Sequence, residues 1–161
     1  MAALAVGARF GVPIADAAAA AIAAYVPANN RSQMTRTERN TLIIDAYNAN
    51  PSSMRAALDN FAAVQAPEKV ALLGDMRELG AESLEEHCAI VRQALASGIR
   101  TLFVGEEFAR ALKAVAPDPM PLCFPDSEAL LDYLQAHPVS GAVVLVKGSR
   151  GIRMETVLPA L

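Results

Sequence analysis

The sequence predicts an α/β domain of three layers, a mostly parallel sheet with helices on both faces, and three observations predict it. Short apolar runs alternate with helix-like segments five times along the chain. Those runs are continuously apolar, as in Leu42-Ile43-Ile44 and Val143-Val144-Leu145-Val146, which is the pattern of strands buried on both faces of a parallel sheet. Hydrophobic residues make up 53% of the 161 residues, against 19% charged and 5% aromatic with no Trp, enough to bury a core of Ala, Leu, Val and Ile. Right-handed crossovers between successive strands then give a Rossmann-like sheet of about five or six strands.

Taken in order, Met1 to Tyr25 reads as two Ala-rich helices around Gly11-Val12-Pro13, where Gly ends the first and Pro opens the second. Two such helices cannot enclose a core alone. Val26 to Asn40 is polar, aperiodic and turn-forming. It is the expected domain boundary, with residues 1–28 closing one domain and residues 29–161 forming the next. The expected strands are Thr41 to Tyr47, Lys69 to Asp75, Thr101 to Gly105, Leu122 to Phe124 and Ala142 to Lys147, each followed by a helix-like segment. Pro51 or Ser52 opens the helix after the first.

Composition excludes several classes. Lys plus Arg number 14 against 17 Asp plus Glu, a net charge of -3, and no dense run of one sign provides a footprint for nucleic acid. Ile14 to Asn30, charged only at Asp16, is Ala-rich and too short to span a bilayer. No basic residue precedes the apolar start of the chain, so a secretory signal is not expected and the default location is the cytoplasm. Cys88 and Cys123 have no CxxC spacing and only His87 and His137 to assist them, so both are expected as reduced, packed thiols.

In sheets of this kind the ligand crevice lies at the carboxyl ends of the strands. The first such segment, Asp45-Ala46-Tyr47-Asn48-Ala49-Asn50-Pro51, puts a carboxylate, a phenol and two carboxamides within six residues. Asp45 and Asn50 suit caps of the turn and helix, but four polar side chains exceed what capping needs and fit a sugar or nucleotide, with the helix N-terminus fit for an anion. The last segment, Lys147-Gly148-Ser149-Arg150-Gly151, sets a Lys, a Ser and an Arg among glycines that allow close approach to the backbone. That suits capture of a phosphate or carboxylate; a solvated loop is the alternative. Asp75 and Glu78, in Gly74 to Gly80, are placed to take a cation or an amine, unless the loop is an exposed charged turn. No GxxxxGK[ST], GxGxxG after a strand, HExxH or GxSxG occurs in the sequence.

Asp45 to Met54, Leu73 to Gly80 and Val146 to Gly151 resemble the C-terminal domain of the Mur ligases, in the branch that adds D-alanyl-D-alanine, with Met1 to Tyr25 similar to the last helices of that family's central ATPase domain. The resemblance implies an ATP-dependent amide ligase of peptidoglycan precursor synthesis. Its substrates would be ATP, D-Ala-D-Ala and UDP-MurNAc-tripeptide, with Mg2+ held mainly by the central domain. It also implies that Arg31 reaches the nucleotide phosphates and Asp45 the ribose, that Tyr47, Asn48 and Asn50 line the same crevice, and that Lys147, Ser149 and Arg150 meet the D-Ala-D-Ala carboxylate or the closed-state phosphates. The family's phosphate loop, metal ligands and carbamylated lysine have no counterpart in this sequence, so the fragment alone is expected to be inactive, with no catalytic or metal-binding residue of its own. A free-standing nucleotide-binding regulatory module, which would bind nucleotide unaided, and a structural domain, which would bind nothing, are the rival readings.

Overall fold

The computed structural model describes residues 33–116 and 118–161. The two expected N-terminal helices, the boundary between residues 28 and 29, and Arg31 lie outside them. The described chain forms β1 (Gln33–Arg36), β2 (Thr41–Asp45), α1 (Pro51–Ala63), β3 (Lys69–Gly74), α2 (Ser83–Ala96), β4 (Arg100–Val104), α3 (Glu106–Val115), β5 (Cys123–Phe124), α4 (Ser127–Ala136) and β6 (Val143–Lys147). Short 3-10 helices run over Gly80–Glu82, Arg150–Ile152 and Met154–Ala160.

The six strands lie in the order β1-β2-β6-β3-β4-β5. All neighbours are parallel except β1 with β2. From β2 the chain passes over one position to β3, builds outward through β4 and β5, then returns to insert β6 between β2 and β3. The order reverses there, which is where such sheets open a crevice. Leu42, Ile44, Val70, Leu72, Val144 and Val146 pack on one face with α4 and the last 3-10 helix. Ala71, Leu73, Phe103 and Leu145 pack on the other against α1, α2 and α3. The three-layer expectation holds, and the five expected strands appear with their ends moved by one or two residues.

Two elements differ from expectation. β1 falls in the segment read as irregular, because it is an edge strand held by pairing with β2 and not by an apolar face: Met34 and Arg36 are exposed and Gln33 and Thr35 only half-buried. After β6 there is no α-helix. Arg153 takes a left-handed conformation at φ 57° and Pro159 sits inside the following segment, so the chain closes the domain in 3-10 turns that bury Met154 and Val157.

The turn from β1 to β2 is anchored from a distance. Asn40 is 5% exposed; its Nδ2 donates to the Val139 carbonyl at 2.9 Å and the Leu161 carbonyl at 2.7 Å, and its Oδ1 accepts from the Ala142 N–H at 3.2 Å. One carboxamide thus ties the start of β2 to the approach of β6 and to the last turn. Asn40→Ala would strand the Val139 carbonyl and the Ala142 N–H, while the Leu161 carbonyl keeps the Thr37 hydroxyl at 2.9 Å, and should lower unfolding free energy by about 2–4 kcal/mol. Urea denaturation checks this, and a loss below about 1 kcal/mol would show that water replaces the carboxamide.

Candidate functional site

Parallel register sets Lys147 beside Asp45 on β2 and beside Leu73 on β3. Alternate strand residues share a face, so Lys147 follows Leu145 toward the helices α1 to α3. Its side chain is 0% exposed, while that of Asp45 is 24% exposed. Lys147 Nζ donates to Asp45 Oδ2 at 2.5 Å and to the Asn48 carbonyl at 3.3 Å. An ammonium cut off from water must take the nearest carboxylate, and here that carboxylate belongs to the protein. Lys147 is therefore not an open receptor for a substrate anion, contrary to expectation.

Ser149 is also withdrawn. It is 3% exposed, and both its Oγ, at 2.5 Å, and its N–H, at 3.2 Å, donate to the Asp75 carbonyl. It clasps the end of β6 to the end of β3. Gly148 is small for the same reason: a Cβ there would lie 2.7 Å from Met154 Cγ and 3.2 Å from Gly74 Cα. The closeness needed at this glycine is between strands, not between backbone and ligand. Arg150 alone of the three is exposed, and its guanidinium lies over the Tyr47 ring, 5.6 Å from the centroid.

On the facing loop Ala46 and Ala49 are buried, while Tyr47, Asn48 and Asn50 are exposed. Asn50 is the N-cap of α1: its Oδ1 accepts from the Ser53 N–H at 2.8 Å and from Ser52 Oγ at 2.9 Å, and Ser53 Oγ accepts from the Asn50 N–H at 3.1 Å. This capping box engages the oxygen that was expected to line the crevice. The 45–50 loop and the end of β6 thus meet at two points, Lys147 with Asp45 and the Asn48 carbonyl and Arg150 with the Tyr47 ring.

Asp75 does not serve a cation or an amine. Its carboxylate accepts from the Glu107 N–H at 3.0 Å and the Phe108 N–H at 2.9 Å, capping α3 from outside its own segment. Burial pushes this carboxyl above the ordinary carboxylate range, against the lowering pull of the same two N–H groups. Gly105, at φ 116°, would drive a Cβ into that carboxylate. His87, 0% exposed, accepts the Met76 N–H on Nε2 at 3.0 Å and faces the Ser83 carbonyl with Nδ1 at 2.7 Å, the neutral tautomer with hydrogen on Nδ1. Neither role was foreseen; an Asp after one strand and a Gly after the next were the only signs.

The β3 loop and α3 also frame a polar cleft of about 380 Å³ containing Arg77, Glu78 and Arg110. In it the Ser83 hydroxyl, 2.6 Å from Glu107, and then Arg110 hold the Glu107 carboxyl below its ordinary value. Arg77 was not singled out from sequence, yet its Nε lies 3.9 Å from where a Cβ on Gly151 would stand, so it borders the loop that carries Arg150. Among the described residues no three His, Cys, Asp or Glu gather as a metal site, and no helix is long and apolar enough to cross a membrane.

Residues 30–150 match the family described as Mur ligase, glutamate ligase domain. The chain belongs to the Mur ligase family. Over 125 residues it is 41% identical to the UDP-N-acetylmuramoyl-tripeptide--D-alanyl-D-alanine ligase of Treponema pallidum, covering 75% of this chain and 27% of that protein. It is similar to MurF from Acinetobacter baumannii, with a TM-score of 0.74 at 28% identity over 98% of this chain and 35% of that one. The Thermotoga maritima MurF ligase solved with ADP shares the fold at a TM-score of 0.74 and 22% identity, over 98% of this chain and 35% of that one. The chain spans about a third or less of the length of these Mur ligases, and the resemblance read from its three motifs is borne out.

Both cysteines are free thiols, Cys88 buried and Cys123 half-buried, as expected. Burial, with the Asp75 charge, pushes the Cys123 thiol up to about 11. The native chain at pH 8 should therefore react with a thiol reagent about a hundredfold more slowly than the urea-unfolded chain, in which cysteines titrate near their free value. The rate should climb as pH rises toward 11. Equal native and unfolded rates would show that Cys123 is an accessible thiolate.

Proposed function

We propose that this chain acts as the C-terminal part of an ATP-dependent ligase that joins D-alanyl-D-alanine to UDP-N-acetylmuramoyl-tripeptide in peptidoglycan precursor synthesis, in the cytoplasm. In that reaction ATP phosphorylates the terminal carboxylate of the tripeptide, the amine of D-Ala-D-Ala attacks the acyl phosphate, and phosphate leaves. A carboxylate is a poor electrophile until it is phosphorylated, and the acyl phosphate has to be kept from water.

The observation that carries the reading is the polar loop that follows β2 at the reversal of strand order. Asp45 stands at its start with 24% of its side chain exposed, Tyr47 and Asn48 are exposed along it, and Arg150 lies over the Tyr47 ring, in a chain that matches Mur ligases over residues 30–150. The Asp45 carboxylate suits two vicinal hydroxyls of a ribose, Tyr47 and Asn48 border it, and Arg31 is assigned to the phosphates. Asn50 is left to its cap. Arg150, with Arg77 bordering the same loop at Gly151, is assigned to the carboxylate of the incoming dipeptide. Among the described residues no three His, Cys, Asp or Glu gather to hold a metal ion, and Mg2+ is assigned to the central domain of the full-length ligase.

Two outcomes test this. Given ATP, D-Ala-D-Ala and UDP-MurNAc-tripeptide, the isolated chain should release no phosphate, and its calorimetric affinity for ATP should be weaker than roughly micromolar, about -8 kcal/mol, because it supplies one wall of the site. Turnover near one per second, or micromolar binding, would instead mark a complete enzyme or a self-sufficient nucleotide module. In the full-length ligase, Arg150→Ala should raise KM for D-Ala-D-Ala about tenfold or more and leave KM for ATP unchanged. A shift in the ATP constant alone would place Arg150 on the nucleotide phosphates.

A further inference from the structure

We infer that Lys147 is a positioning residue, whose buried ammonium fixes the Asp45 carboxylate and the 46–50 loop in the arrangement that receives the nucleotide. The inference rests on the reading of Asp45 as a nucleotide contact.

Lys147 ends a strand that otherwise reads Val143-Val144-Leu145-Val146, flanked on both sides by parallel strands. Among the described residues it is the only Lys or Arg that is buried. Stability does not call for a charge there. Moving an ammonium out of water costs several kcal/mol, of the order that its ion pair returns, and aliphatic replacements of buried pairs are often neutral or stabilising. Something other than packing sets the residue type.

The contacts of Nζ show what it does. One bond, at 2.5 Å, holds Oδ2 of Asp45 at the strand end, and the other, at 3.3 Å, holds the carbonyl of Asn48 three residues on. The ammonium therefore spans the start of the loop from below. Ala46 and Ala49 are buried on either side of the exposed Tyr47 and Asn48, so the loop is gripped at both small residues and at one carbonyl. A ligand meeting a carboxylate and loop already ordered loses less conformational freedom on binding. Arg150, by contrast, is exposed, and belongs to direct contact.

The test uses the full-length ligase with Asp45→Asn, Lys147→Met and the double variant, following melting temperature, KM for ATP and kcat. Lys147→Met, close in length and aliphatic, is expected to fold with a lowered melting temperature, because the half-buried Asp45 carboxylate loses its partner. It should raise KM for ATP about tenfold with kcat within about threefold. The double variant should be no worse for ATP than Asp45→Asn alone, since Lys147 acts through that carboxylate. Three outcomes overturn the inference: a Lys147→Met protein that does not fold, which makes the residue structural; an unchanged KM for ATP in Lys147→Met while Asp45→Asn raises it; or single effects that multiply in the double variant. If Asp45→Asn itself leaves KM for ATP unchanged, the nucleotide reading falls and takes this inference with it.

Discussion

A full positive charge with no access to water, at the carboxyl end of the strand that enters the sheet last, is the constraint around which the crevice is built. Lys147 is 0% exposed, so its partners must come from what surrounds β6, and register leaves Asp45 on β2 beside it. The carboxylate and the Asn48 carbonyl turn inward to meet it, which sends Tyr47 and Asn48 outward. Gly148 and Gly74 then let β6 and β3 close over Met154. The exposed polar side chains of the 45–50 loop are what remains of it once the ammonium has been satisfied.

A second chain of contacts stiffens the other side. The Ser149 Oγ and N–H both bind the Asp75 carbonyl, the Asp75 carboxylate caps α3, and His87 accepts the next N–H, that of Met76. Three consecutive strand ends are joined without a water-exposed link: β6 through Ser149, β3 through Asp75, and β4 through Gly105, where the absence of a Cβ makes room for the carboxylate. The 75–83 loop that carries Arg77 hence has a fixed root and a polar surface, the usual arrangement of a binding loop on a rigid frame.

What was legible in the sequence follows from what each signal measures. Burial on both faces demands apolar runs, so β2, β3, β4 and β6 were plain. β1 was not, since an edge strand is specified by the partner it pairs with and leaves Met34 outside. The Asn50 cap could be read because its partners, Ser52 and Ser53, lie within three residues. The fate of Lys147 could not, because Asp45 stands 102 positions away in the chain, and a basic residue next to glycine looks the same whether it faces water or the sheet. Asp75 misled for a similar reason: its acceptors' donors belong to the following unit, at Glu107 and Phe108.

The two cations of the β6 loop can be told apart by what it costs to detach them. Lys147 is engaged in a desolvated pair, and removing its partner would leave a buried charge uncompensated, a loss of about 3–5 kcal/mol; no ordinary substrate carboxylate recovers that at such a site. Arg150 rests on the face of Tyr47 at 5.6 Å, an exposed contact worth about 0.5–1 kcal/mol, and a charge-assisted bond to a ligand anion, about 1.5–3 kcal/mol, exceeds it. Arg150 is therefore easily detached from its partner and Lys147 is not. The end of β6 carries one cation bound into the sheet and one held only at the surface, a division made by burial alone.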